Sequence, residues 1–217
     1  IITKQDNPSR VYKLAYPQST SSILTATLSG SLSFSGVTSA AVFRFGGSVL
    51  TTTQGHFGTM KIKDLTSRRD VFVNNQTTLD IVSGNYTMAS NGHWLQTNIG
   101  TVGNLTSSSN TLTVLNGGTG PGSLETLDHQ IRLRIVDGGG PLTVVKNGRN
   151  QVTFNQANTY TGGTTINEGR LQGANVTAFG TGTVTVANGA QAWLNVAGTF
   201  ANNFTLNGIG VTEAAGN

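Results

Sequence analysis

The chain has 217 residues, a formal net charge of +4 and only 10% charged side chains, against about 25% in ordinary globular domains. Lys, Glu, Leu and Ala never cluster at helical spacing, which excludes a helical protein and leaves Thr, Ser, Asn and Gln to supply the polar surface. The 13 basic and 9 acidic residues are too dilute for a nucleic-acid-binding face, and no apolar run reaches the roughly 18 residues of a membrane span.

Alternating apolar and polar residues then recur from end to end, which favours ordered β structure over disorder. Strands are predicted over Ile23–Ser33 with Phe34, and over Ala41–Phe45, Met60–Lys63, Asp70–Val73 and Thr78–Val82. Further strands are predicted over Thr111–Leu115, Ile131–Val136, Leu142–Val145 and Gln151–Phe154, and then over Thr183–Val186, Ala192–Val196 and Asn203–Asn207. Between them stand turn signals such as Gly46-Gly47, Ser83-Gly84-Asn85, Asn147-Gly148, Gly162-Gly163 and Asn188-Gly189. The densest basic cluster, Lys61, Lys63, Arg68 and Arg69, is partly neutralised by Asp64 and Asp70. Arg132 and Arg134 alternate with Ile131, Leu133 and Ile135, the pattern of a strand with one solvated face.

Many short strands at regular spacing suit a β-sandwich, an antiparallel barrel or a β-solenoid. Like residues at like places in successive units favour the solenoid, where stacked coils form side-chain ladders. The pattern is irregular over 1–140, with longer loops such as Pro8–Thr20 and Pro121–His129, and more regular over 141–217. One continuous solenoid is therefore expected, with its less regular part N-terminal.

The stretch Leu142–Leu171 carries Lys146 and Gly148, then Ala157, Asn158, Tyr160, Gly162, Gly163, Thr164 and Ile166, and closes on Gly169 and Leu171. This run resembles the autotransporter-associated β-strand repeat, or passenger-associated transport repeat, of bacterial autotransporter-type passengers. Phe179-Gly180-Thr181-Gly182 stands where that family has a Leu-Gly-x-Gly turn, and Arg149-Asn150 replaces its usual small step. The resemblance implies a right-handed parallel β-helix, exported through or displayed on the outer membrane of a Gram-negative-type bacterium. In that setting each motif residue has a structural role. Gly162 and Gly163 would turn the chain at positive φ, and Asn158 would satisfy the turn's backbone and stack on Asn of neighbouring coils. Tyr160 would send its hydroxyl to the rim, and Ile166, Leu171, Val184 and Val186 would fill the interior.

Little in the sequence suggests chemistry. Of the acids Asp6, Asp64, Asp70, Asp80, Glu125, Asp128, Asp137, Glu168 and Glu213, no two form a D-x-D or D-D pair. Glu125, Asp128 and His129 make the one compact polar cluster, on a loop where acids are most often merely solvated. His56, His93 and His129 lack metal-ligand spacing. Trp94 and Trp193 are expected in the core. No catalytic residue, metal site or cofactor is assigned. The absence of Cys suits an exported repeat scaffold. The chain begins at Ile1, and Glu213–Asn217 follow a strand unit without a cap, so a segment of a longer stalk or filament is expected. Its expected partners are further coils of the same chain or neighbouring copies stacked end to end, with host or matrix glycans or proteins as adhesive targets. No nucleic-acid partner is expected, and membrane attachment only through an anchor outside the segment. The alternative is a polysaccharide-binding or polysaccharide-degrading enzyme on the same scaffold.

Overall fold

A computed structural model describes residues 2–4, 11–12, 23–24, 32–34, 59–67, 71–73, 78–88, 94–97, 102–117 and 129–210. The predicted strand Ala41–Phe45 and the terminal Glu213–Asn217 lie outside the described residues. Short β-branched and aromatic runs cannot bury both faces alone, so they stack on one another. Near the N-terminus, β1 (Ile2–Lys4), β2 (Val11–Tyr12) and β4 (Leu32–Phe34) pair antiparallel in the order β2-β1-β4.

The other strands form three parallel sheets. The first holds β3 (Ile23–Leu24), β5 (Thr59–Ile62), β8 (Thr78–Ile81), β11 (Asn104–Thr106) and β14 (Arg134–Ile135). The second holds β6 (Leu65–Ser67), β9 (Asn85–Met88), β12 (Thr111–Asn116), β15 (Thr143–Asn147), β17 (Thr164–Ile166), β19 (Val184–Val186) and β21 (Phe204–Leu206). The third holds β7 (Val71–Val73), β10 (Trp94–Thr97), β13 (His129–Ile131), β16 (Gln151–Phe154), β18 (Gly169–Gly173) and β20 (Ala190–Leu194). From β5 to β16 the chain visits the first, second and third sheets in turn, so each circuit lays one rung beside the last. This is a parallel β-helix. After β16 the first face carries no strand but keeps its ladder through single bonds, Thr159 N to Ile135 O at 2.9 Å and Thr181 N to Tyr160 O at 3.0 Å.

Alternation along each strand sends every second side chain inward. On the second sheet Leu112, Val144, Thr164, Val184 and Phe204 stack in one inward column, and Val114, Lys146, Ile166, Val186 and Leu206 in the next. Leu95, Ile131, Val152, Phe154 and Leu171 meet them from the third sheet, all buried. Val145, Thr165, Thr185 and Thr205 follow one another on the outer face at a constant step of 20 residues. Upstream the step is longer and uneven: Asn85 faces Thr113, and Thr113 faces Val145.

Two strand expectations are corrected. Ile131–Val136 is not one strand, because the chain turns a corner after β13 and resumes as β14 in another sheet. The alternation survives the corner, since Ile131, Leu133 and Ile135 are all buried, and periodicity alone cannot reveal the bend. Asn85, expected in a turn, opens β9, because Gly84 at φ 79° completes the corner just before it.

Candidate functional site

Lys146 occupies an inward position of β15 and is 0% exposed. Its stem fills the column between Val114 and Ile166, and its Nζ donates to the carbonyls of Asn147 and Glu168, each at 3.0 Å, and of Gly148. Those acceptors lie at the end of β15, in the turn after it, and in the turn before β18 one coil later. Glu168 Oε2 accepts from Gly148 N at 3.0 Å, so the same two corners are tied a second time. Burial pulls the Lys146 ammonium down to about 7, opposed by the charge of Glu168.

Asn158 spans three coils, its Oδ1 accepting from Ile135 N at 2.8 Å and its Nδ2 donating to Ala178 O at 2.6 Å. It therefore bridges backbone above and below, and Ala178 rather than another Asn follows it. The buried Tyr160 hydroxyl meets Thr164 Oγ1 at 2.6 Å instead of reaching the rim, and Thr164 Oγ1 donates on to Phe179 O at 3.2 Å. Burial pushes the Tyr160 phenol well above its ordinary range. Gly163 has the expected positive φ, 91°, whereas Gly162 does not. Gly162 is required by space: a Cβ there would lie 2.6 Å from the Leu142 carbonyl. Gly169 is held on both counts, with φ 64° and a Cβ position 2.4 Å from the Arg149 carbonyl. Ile166, Leu171, Val184 and Val186 are buried as expected, while Ala157 is exposed.

Of the polar cluster, Glu125 and Asp128 lie outside the described residues, as do His56 and His93. His129 is the first residue of β13 rather than a loop residue, and it is buried in the inward column of Val152. Among the described residues no three His, Cys, Asp or Glu side chains group as metal ligands, and no helix is long and apolar enough to cross a membrane.

The outer face of the third sheet holds what the sequence reading missed. Neither tryptophan is in the core. Trp94 is 37% exposed, and the Arg132 guanidinium lies 3.9 Å over its ring. Arg132 Nε donates to Gln130 Oε1 at 2.9 Å and its Nη1 to Gln96 Oε1 at 3.2 Å. A second arginine–tryptophan contact lies further along the sheet, with its glutamine acceptors placed differently. Arg170 lies 4.7 Å over Trp193, with Nε donating to Gln191 Oε1 at 2.6 Å and Nη1 to Gln151 Oε1 at 3.3 Å. Gln151 in turn donates to Gln172 at 2.7 Å. The register Trp94, Gln130, Thr153, Gln172, Trp193 places both rings in one outward column, four rungs apart. Strand parity was the available signal: Trp94 and Trp193 alternate with Leu95 and Ala192, both inward.

A single parallel β-helix with its polar motif side chains turned inward defines a solenoid repeat protein. A family model described as Passenger-associated-transport-repeat matches residues 144–172, from the inward Val144 through Gln172 of β18. Residues 144–172 thus carry an autotransporter-associated repeat. That family implies a secreted or surface-displayed bacterial protein. No curated protein and no solved structure matches the chain.

Proposed function

We propose that this chain is an extracellular structural and adhesive stalk segment, displayed at the outer membrane of a Gram-negative-type bacterium, and that it performs no catalysis. The observation that carries this reading is the fate of the repeat's reactive side chains. Lys146, Asn158, Tyr160 and Thr164 are buried and hydrogen-bonded to corner carbonyls, to backbone or to each other, so the motif serves stacking. The last described coil adds a second support. Leu206, in an inward column, is 69% exposed, and Ile209 beyond it 79%. Such an edge suits further coils, of the same chain or of a neighbouring copy.

Duplication of residues 164–183 tests the proposal. One added coil should extend the particle by a single rung, about 4.8 Å, with cooperative unfolding retained. Small-angle scattering reads the length. A duplicated chain that no longer folds would overturn the stalk reading. Release of new reducing ends or unsaturated sugars from acidic, neutral or amino-sugar polysaccharides would overturn the non-catalytic one.

A further inference from the structure

We propose that Asn207-Gly208, at the corner after β21, is a self-modifying site where the Asn207 side chain closes on the Gly208 nitrogen and sheds ammonia. A coil stacked on β21 shuts the site off, and this second step rests on the stalk reading above.

Asparagine is a thermolabile side chain, and asparagine before glycine is the least hindered case, because glycine puts no Cβ beside the attacking nitrogen. Four such steps lie among the described residues: Asn116-Gly117, Asn147-Gly148, Asn188-Gly189 and Asn207-Gly208. In three of them a neighbouring coil holds the glycine N–H. Gly117 N donates to Met88 O at 3.2 Å, Gly148 N to Glu168 Oε2 at 3.0 Å, and Gly189 N to Ile209 O at 3.0 Å. Gly208 N has no such partner among the described residues. Asn188-Gly189 is the nearest comparison. Both steps are exposed and both glycines turn at the same angle, φ 76° and 75°, so at the attacking nitrogen only the tie to the next coil separates them. A tied N–H cannot turn on its own side chain until the corner opens.

The chemistry needs only water. Gly208 N gives its proton to solvent base and bonds to Asn207 Cγ. The Cγ–Nδ2 bond breaks, ammonia leaves, and a cyclic imide remains. Water then opens either ring carbonyl, leaving aspartate or its β-linked isomer at position 207. Asn207 Nδ2 donates to Val186 O at 3.2 Å, so either product replaces that donor with a carboxylate facing a carbonyl. The β-linked isomer also adds a methylene to the backbone, which changes the register offered to a stacking coil. An uncovered β21 therefore ages, and a covered one is preserved.

The folded full chain is incubated in mildly alkaline heavy-oxygen water. Mass spectrometry follows peptides spanning the four steps, and enzymatic methylation scores the β-linked isomer. Conversion at Asn207 is expected at least ~10-fold faster than at Asn116, Asn147 or Asn188, with both isomers formed. In denaturant the four rates should converge. Equal or slower conversion at Asn207 in the folded chain, aspartate alone, or a preference for Asn207 that survives unfolding would each overturn the site. For the shut-off, residues 190–209 are repeated after Ile209, so that a coil covers Gly208 as one covers Gly189. Asn207 should then slow to the Asn188 rate, and undiminished conversion would overturn the shut-off. Should that chain misfold, Glu168→Ala serves: it unties Gly148 N, and Asn147 should convert at least ~10-fold faster. An unchanged Asn147 rate would equally overturn the shut-off. Rod lengthening on duplication of residues 164–183 depends on none of these rates, so site and stalk fail separately.

Discussion

Between Thr143 and Leu206 each coil of the second sheet takes 20 residues, whereas between Leu65 and Thr143 no two successive steps agree. The inward columns nevertheless run through both regions without a break, Val114 handing on to Lys146 as Ile166 does to Val186. The contrast teaches where a solenoid tolerates variation. Register is fixed by inward pairs, while extra residues enter at corners, where lengthening a loop costs little. In the regular region the corners are closed by backbone and buried polar groups, as at Lys146 and Asn158. The Trp94–Arg132 pair lies in the uneven region and the Trp193–Arg170 pair in the regular one.

One tryptophan sits in each region, so equilibrium unfolding in denaturant can be followed from Trp94 in a Trp193→Phe background and from Trp193 in a Trp94→Phe background. The largest expected effect is Tyr160→Ala, which empties a fully buried ring site and should destabilise the Trp193 transition by about 4 kcal/mol. An equal shift at Trp94 would show that the two regions unfold as one. Gly169→Ala should cost about 3 kcal/mol, because positive φ and the nearby Arg149 carbonyl both resist a Cβ. Asn158→Ala strands Ile135 N and Ala178 O and should cost about 2 kcal/mol. Because it joins the last uneven coil to the regular ones, its loss should separate the two transitions.

Lys146 gives a pH signature. Its folded value of about 7 lies below its ordinary 10.5, so across that window the unfolded chain binds more protons than the folded one. Stability should therefore rise from about pH 7 towards pH 10, no more steeply than about 1.4 kcal/mol per pH unit. Tyr160 acts oppositely: its raised folded value makes the folded state hold a proton that the unfolded state loses, so stability should fall above its ordinary 10. Unfolding midpoints measured across this range should form a dome, and Lys146→Met should flatten its rising side. A midpoint that falls steadily from pH 7 in the parent chain would contradict the burial argument. The smallest effect is Gly139→Ala in the corner before the regular coils. No atom lies near its Cβ position, and the change should stay within about 0.5 kcal/mol.

The repeat was the most legible part of the fold. Gln151–Phe154 was placed to the residue, because four alternating residues bounded by turn signals leave little choice. Legibility was lost at corners. The split between β13 and β14 was hidden because Ile131, Leu133 and Ile135 keep their period through the bend. The candidate site was not read at all. Trp94 and Gln96 lie on β10, Gln130 on β13 and Arg132 just after it, one coil later, and ladder register alone makes them neighbours. Composition pointed the wrong way as well, since an isolated Trp among apolar residues is usually core.

By itself the sequence determined the class of structure. A chain poor in charge and rich in Thr, Asn and Gly, with alternating strands and the Lys146–Leu171 motif, has one economical way to bury its apolar residues, which is to stack them as coils. Local alternation and turn chemistry suffice for that, because each coil needs only its immediate neighbours. The tertiary structure alone decided what each polar residue does. Lys146 turns inward to three carbonyls, Asn158 bridges three coils, and Arg132 lies over the Trp94 ring on the outer face. Those outcomes depend on which residues a register of 20 or more brings face to face, and no local pattern in the chain encodes that separation.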